Sequence, residues 1–313
     1  MRVITLMALC VSTLAAQQPA PAPPGVVGTW DLTLTGSDGH KMPSWLEVIW
    51  SGDRVLVGHF VGVVGSVRPV SKFDFANDTL RWSAPPQWEG GDSDFKYVAV
   101  FAGDSLVGTV TTSDGRQIAW SGHRAPALQR KGLVHWGVPK RLFNGRDLTG
   151  WHVVGGPNNW KAEAGGILHN TDHGGNLVTD QTFTDFKIHL ELRYPKDGNS
   201  GVYLRGRYEA QVEDSVTTST AKEATGGNGA IYGFLIPNQN ASKGANEWQT
   251  YDITLVGRRV TVVLNGKTVI CETNIPGPTG GALDSNEGAP GPIMLQGDHT
   301  AVEYRNIMIT TAK

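Results

Sequence analysis

Asn199-Ser200-Gly201-Val202-Tyr203-Leu204-Arg205-Gly206-Arg207-Tyr208-Glu209-Ala210-Gln211-Val212-Glu213-Asp214-Ser215 reads as two β-strands joined by a tight turn at Gly206-Arg207. Side chains on a strand alternate between faces. In the second strand that period puts Tyr208, Ala210 and Val212 on one face and Glu209, Gln211 and Glu213 on the other. In the first, Val202 and Leu204 face one way, Tyr203 and Arg205 the other. Two carboxylates, an amide, a guanidinium and a phenol then converge on one side of a sheet whose other side is core. An ordinary solvent-facing strand alternates in the same way, so the pattern alone leaves both readings open.

The whole chain has 313 residues, enough for two domains of ordinary size. Its 39% hydrophobic and 18% charged content is that of a globular protein, and a net charge of −2 predicts no nucleic-acid partner. Forty glycines and ten tryptophans favour many turns between short strands. No apolar run approaches the roughly 18 residues of a membrane span.

The N-terminus reads as a secretory signal over residues 1–16. Arg2 supplies the positive start, residues 3–11 the apolar core, and Thr13-Leu14-Ala15-Ala16 a small-residue cleavage site. A Pro/Ala-rich tether follows over residues 17–25, and the expected location is periplasmic or secreted. Cys10 falls in the signal, which leaves Cys271 as the single cysteine of the mature chain. An intramolecular disulfide is then excluded, and Cys271, on a predicted strand, is expected to be a buried thiol.

Residues 26–125 form a train of short strands punctuated by Ser37-Asp38-Gly39, Ser51-Gly52-Asp53, Asn77-Asp78, Gly103-Asp104 and Asp114-Gly115. About eight strands in roughly 100 residues predict an antiparallel meander closed into a small barrel. Gly28-Thr29-Trp30 at its start and Gly122-His123-Arg124 at its end resemble the opening and closing signatures of lipocalin-like barrels. In that family the arginine packs over the tryptophan. A filled interior is expected of so short a barrel. Pro85-Pro86-Gln87-Trp88-Glu89-Gly90-Gly91 interrupts the train as a long loop, with Trp82 and Trp88 near it as candidates for core packing or for contact with sugar rings.

Residues 126–139 carry linker composition, and a second all-β domain spans residues 140–313. Its cleanest alternation runs over residues 186–194, which places His189 on a solvated face. Asn265-Gly266 predicts a type I′ hairpin turn. Two long Gly/Asn/Pro-rich loops, residues 226–246 and 276–292, are of the length that more often serves function than connection. No nucleophile elbow, phosphate loop, dinucleotide fingerprint or zinc motif is present, and the nine histidines show no helical metal spacing. Carboxylate, amide and aromatic chemistry on a sheet remains, and carbohydrate sites are built in that way.

The strands quoted above belong to a longer series in fixed order. The series holds Leu142-Phe143-Asn144-Gly145-Arg146-Asp147-Leu148-Thr149-Gly150-Trp151, Gly229-Ala230-Ile231-Tyr232-Gly233, Asn246-Glu247-Trp248-Gln249-Thr250-Tyr251 and Gly291-Pro292-Ile293-Met294-Leu295-Gln296-Gly297-Asp298-His299, followed by Tyr304-Arg305-Asn306-Ile307. Together these blocks resemble the bacterial 3-keto-disaccharide hydrolase, or 3-keto-glucoside lyase/hydratase, family over about residues 139–311. The resemblance implies a concanavalin-like jelly roll. The implied chemistry is removal of the C2 proton of a 3-keto-glucoside, expulsion of the C1 substituent and addition of water. That family usually has an apolar residue where Glu213 stands, which argues against a catalytic use of that carboxylate.

Such chemistry needs a base near C2, an acid near the leaving oxygen and a hydrogen-bonding or positive group near the C3 oxygen. Glu209 and His299 are the candidates for the acid/base pair, with Asp214 to orient His299 or help hold a cation. Arg205 is the candidate electrophile, Gln211 and Gln296 fix hydroxyls, and Tyr232 or Trp248 offers a ring surface. Each has a structural alternative: Arg205 as an ion-pair partner of Glu209, Trp248 as core. Enolate chemistry is compatible with a divalent cation, and no ligand set for one is legible. Two rival readings remain: a non-catalytic carbohydrate-binding jelly roll, and a retaining glycosidase built on Glu209-x-Gln211-x-Glu213.

Overall fold

The computed structural model describes residues 24–52, 54–214 and 227–313. The expected signal, most of the tether and Cys10 lie outside the described residues. The described chain is all-β, with no helix among these residues.

Eight strands close into the antiparallel barrel: β1 Gly28–Thr35, β2 Lys41–Ser51, β3 Val55–Val61, β4 Arg68–Ala76, β5 Thr79–Ala84, β6 Phe95–Ala102, β7 Ser105–Thr111 and β8 Gln117–Arg124. β1 pairs with both β2 and β8, which removes every free edge. Inward residues of successive strands fill the interior. Trp30, Phe60, Trp82, Tyr97 and Trp120 belong to one buried cluster, and Trp82 stacks on Tyr97 with ring centroids 4.6 Å apart. The Arg124 guanidinium lies 3.9 Å over the Trp30 ring and donates to the carbonyl oxygens of Val27 and Gly25. The barrel is therefore a packed body with one end plugged, as its opening and closing signatures predict.

The remaining strands build a jelly-roll sandwich. They are β9 Lys140–Arg141, β10 Trp151–Val154, β11 Trp160–Glu163, β12 Ile167–Asn170, β13 Asn176–Thr179, β14 Phe186–Arg193, β15 Asn199–Leu204, β16 Tyr208–Glu213, β17 Gln249–Val256, β18 Arg259–Leu264, β19 Lys267–Asn274, β20 Met294–Leu295 and β21 Val302–Thr311. One sheet has the order β10-β13-β20-β15-β16; the other runs β11-β12-β21-β14-β17-β18-β19, with β9 paired to β21. Their inner faces meet in a core that includes Leu190, Leu192, Val202, Leu204, Tyr208, Ala210, Val212, Tyr251 and Ile253.

Two local expectations are corrected. The turn after β15 is centred on Arg205 and Gly206, whose φ angles of 54° and 66° are those a type I′ turn requires at both central positions. Arg205 is thereby a turn residue rather than the end of an alternating strand. Cys271 is exposed, not buried. Val269 and Ile270 are both buried beside an irregularity in the β18–β19 register, and that break in phase turns Cys271 outward on an edge strand. The 126–139 segment is pinned to the sandwich: Arg130 donates to Asp185 and to the carbonyl of Lys313, and Trp136 forms a bridge with Ala312.

The barrel also packs on the sandwich. Trp45, on the barrel's outer surface, is fully buried, edge-on to Phe234 and in contact with Gly277. The Gly281 N–H donates to the Val63 carbonyl, and Gly280 lies so close to Gly65 that an added Cβ would stand 2.2 Å from its oxygen. Thr33 and Ser285 hydroxyls share a hydrogen bond across the same boundary. At its centre is Asp31, fully buried beside Glu287, which itself accepts from Arg258 and from the Tyr208 hydroxyl. Burial first, and then the Glu287 carboxylate, push the Asp31 carboxyl up to about 9 against the pull of Arg258 and Arg207. Asp31 thus keeps its proton at neutral pH beside the Glu287 carboxylate, with His123 3.9 Å away.

The pH dependence of stability follows in sign. An unfolded Asp31 loses its proton near ~3.9, while the folded one keeps it to about 9. Its contribution to stability therefore falls as pH rises through that interval. Asp31→Asn keeps a donor toward Glu287 and cannot ionise. It should raise the thermal midpoint more at pH 8.5 than at pH 5.5, whereas curves parallel to wild type across that range would show Asp31 ionised in the fold.

Candidate active site

The outer face of the five-stranded sheet, the face turned from the sandwich core, carries the chemistry. Tyr203, Glu209 and Gln211 project there from β15 and β16, because Val202, Leu204, Tyr208, Ala210 and Val212 take the core positions between them. Gln296 joins them just beyond β20, in step with Met294, which packs against Tyr203 and Val178.

Glu209 is the centre of this face. Tyr203 stands opposite it in register, and the Tyr203 hydroxyl lies 2.9 Å from Glu209 Oε2 and 2.9 Å from the Gly280 carbonyl. The Glu209 backbone N–H donates to Thr279 Oγ1, and its carbonyl accepts from the Tyr232 N–H. Gly201 makes room for the side chain, since a Cβ there would stand 2.4 Å from Glu209 Oε1. Burial, opposed by the Tyr203 hydrogen bond and reinforced by the charges of Asp298 and Glu213, pushes the Glu209 carboxyl up to about 8. It is protonated at neutral pH. The Tyr203 hydroxyl donates toward Glu209 Oε2, with the Gly280 carbonyl as its second acceptor within reach.

Asp298 lies near enough for its charge to act on Glu209, and it forms a dyad with His299. His299 Nδ1 is 2.8 Å from Asp298 Oδ1, which leaves Nε2 for another partner. That hydrogen bond raises the imidazole above its ordinary value despite burial. Burial alone raises Asp298, but the His299 hydrogen bond and charge, with help from His173, outweigh it and hold the carboxyl below its ordinary range. The turn bearing the dyad is fixed through Gly297, whose N–H donates to Asn176 and whose carbonyl accepts from Gly174 and Asn170. Two neighbouring acids are thus driven in opposite directions, an arrangement that separates a proton donor from a proton acceptor. Gln211 and Gln296 each bury a side-chain oxygen that has no hydrogen-bond partner within the described residues. Such an oxygen is costly unless a ligand or water supplies a donor.

Residues 138–310 match the family described as the 3-keto-alpha-glucoside-1,2-lyase-like domain. The chain belongs to that family. Among solved structures, a Parabacteroides distasonis protein provisionally classed as a glycosyl hydrolase is 29% identical; the match covers 58% of this chain and 92% of that one, with a TM-score of 0.47. A second from the same organism is 25% identical over 55% and 98% of the two chains, with a TM-score of 0.44. The carbohydrate-binding module CBM66 of Bacillus subtilis is 17% identical over 50% and 93%, with a TM-score of 0.35. No curated protein matches the chain. The barrel lies outside the 3-keto-alpha-glucoside-1,2-lyase-like domain.

Within this lyase-like domain the predicted site residues divide into two groups. Glu209, Gln211, Gln296, Tyr232 and His299 gather at the outer face, and three others do not. Arg205, a turn residue, buries its guanidinium against the Tyr208 hydroxyl and the Gly257 carbonyl, so it neither pairs with Glu209 nor reaches this face. Trp248 lies against Arg193 and Arg305, residues of the other sheet. Asp214 accepts from the Asp197 N–H at the start of β15, and the partner of His299 is Asp298. The sequence reading passed over Asp298, although it adjoins His299. Among the described residues, metal-ligating atoms gather only at Glu163, His169 and Glu303, on the larger sheet and not beside Glu209.

The Gly201–Glu209 contact is testable alone. Gly201→Ala should cost about 1–3 kcal/mol, the usual penalty for overpacking, read by denaturant unfolding. In a Glu209→Ala background the same change should cost much less, because the clash has been removed. Equal costs in the two backgrounds would place the Glu209 side chain elsewhere.

Proposed function

We propose that this protein cleaves 3-keto-glucosides or 3-keto-disaccharides outside the cytoplasm, with Glu209 as the proton donor to the leaving oxygen and His299 as the base. The observation that carries the assignment is a pair of neighbouring carboxyls driven apart: Glu209 keeps its proton to about 8, while Asp298 is held low and orients the His299 imidazole. Family membership supports this choice of substrate class, since the matching domain is described by its likeness to a 3-keto-alpha-glucoside lyase.

The steps follow from the substrate's own chemistry. The C3 ketone acidifies the C2–H bond, so His299 Nε2 takes that proton and the electron pair becomes the enolate. Gln211 and Gln296 offer amide donors for the C3 oxygen and acceptors for neighbouring hydroxyls. The enolate then re-forms the ketone as the C1–O bond breaks, and Glu209 gives its proton to the departing oxygen. Addition of water across the new C1–C2 double bond completes net hydrolysis, with Glu209 now able to take the water's proton.

Glu209→Gln separates the steps. Turnover of an alkyl 3-keto-glucoside should fall by about two to four orders of magnitude, the usual worth of a positioned proton-transfer group. Exchange of the C2 proton with deuterated solvent, followed by NMR, should persist. A 3-keto-glucoside with a phenolic leaving group, which departs without protonation, should be cleaved far closer to the wild-type rate. His299→Asn should abolish the exchange. Loss of exchange in Glu209→Gln with retention in His299→Asn would reverse the two roles. In wild type, turnover should decline above about pH 8 as Glu209 loses its proton.

A further inference from the structure

The barrel brings one large apolar side chain to the edge of this face. Trp88 is 75% exposed, the most exposed tryptophan among the described residues. A single exposed apolar residue is ordinary on a protein surface; its mounting is not. The loop that carries it, residues 85–91, is tied down from within. Arg68, almost fully buried, donates to the Pro85 carbonyl and to Glu89 Oε1 at 2.8 Å. Glu89 Oε2 accepts the backbone N–H groups of Gln87 and Trp88. A buried ion pair thus fixes the backbone on either side of an indole left open to solvent. Gly65 lets the loop lie close, because a Cβ there would stand 2.2 Å from Gln87 Oε1 and 3.2 Å from the Trp88 ring.

The indole also lies beside Tyr232. It stands near enough to temper the rise of that phenol's pKa, and the Tyr232 backbone N–H is bonded to the Glu209 carbonyl. The barrel rim beside this loop abuts the same region: Ser66 and Val67 lie against Gly233, and Val63 and Gly65 against Gly280 and Gly281, next to the Tyr203 hydroxyl. An aromatic ring held rigid at the border of a polar sugar site suits the apolar face of a pyranose, which carries its C–H groups.

We infer that Trp88 is a substrate-binding residue supplied by the barrel, a stacking platform for a second sugar ring next to the one on which Glu209 acts. The inference rests on the proposed function for its choice of substrate. It makes the barrel a determinant of specificity for disaccharides over single-ring glucosides, and it places one binding site across both halves of the chain.

The test compares Trp88→Ala and Trp88→Phe with wild type on a 3-keto-disaccharide and on methyl 3-keto-glucoside. Trp88→Ala should raise KM for the disaccharide on the order of tenfold with little change in kcat, and should leave the methyl glucoside unaffected. Trp88→Phe, which keeps a ring, should recover most of the loss. Equal effects on both substrates, or none on the disaccharide, would overturn the inference. Should wild type turn over neither sugar, the catalytic reading fails, and calorimetric titration with the same two sugars decides the question separately. Weaker disaccharide binding by Trp88→Ala alone then sustains the platform, while unchanged binding, or no binding by wild type, rejects it.

Discussion

Removal of the Glu209 carboxyl from water is the constraint on which the outer face depends. The carboxyl is buried against Gly201 and Tyr203, while Thr279 and Tyr232 hold the Glu209 backbone. Ionising a group in such surroundings is expensive, and the pKa rises until the neutral form prevails. Nearby Asp298 and Glu213 add like charge and push in the same direction. The Tyr203 hydroxyl pushes back, and its second contact with Gly280 ties the carboxyl to a loop that runs under the barrel.

That loop, residues 276–292, joins the two halves. Thr279 and Gly280 serve Glu209 and Tyr203; Asp284 receives both ends of the buried Arg207 fork; Glu287 receives Arg258 and Tyr208. From the other side, Gly277 meets Trp45, Gly281 meets Val63, Ser285 meets Thr33 and Glu287 meets Asp31. The barrel is therefore built into the site's surroundings rather than tethered beside them. Its buried carboxyl at Asp31 holds a proton for the same reason that Glu209 does, a lack of water around a group flanked by like charge.

What could be read from the sequence was set by period and local order. Strand alternation places Tyr203, Glu209 and Gln211 together, the Gly-Thr-Trp and Gly-His-Arg signatures mark a plugged barrel, and ordered blocks over the second half mark the family. Arg205 escaped the period because its left-handed backbone belongs to the turn. Cys271 escaped it through the phase break after Val269. Trp248 carried no sign of which sheet would claim it. The environments of Asp31 and Trp88 are formed by segments far apart in the chain, and no local pattern announces a partner 256 positions away, as between Asp31 and Glu287.

The central claim is the protonation state of one buried group, and it can be measured without substrate. Carbon-13 NMR of protein labelled at the glutamate side-chain carboxyl, with Glu209→Gln to assign the signal, follows Glu209 directly as pH is varied. The predicted result is a neutral carboxyl through neutral pH with a midpoint at about 8. A midpoint near the ordinary glutamate value of ~4.3 would contradict it and leave the face with a plain carboxylate.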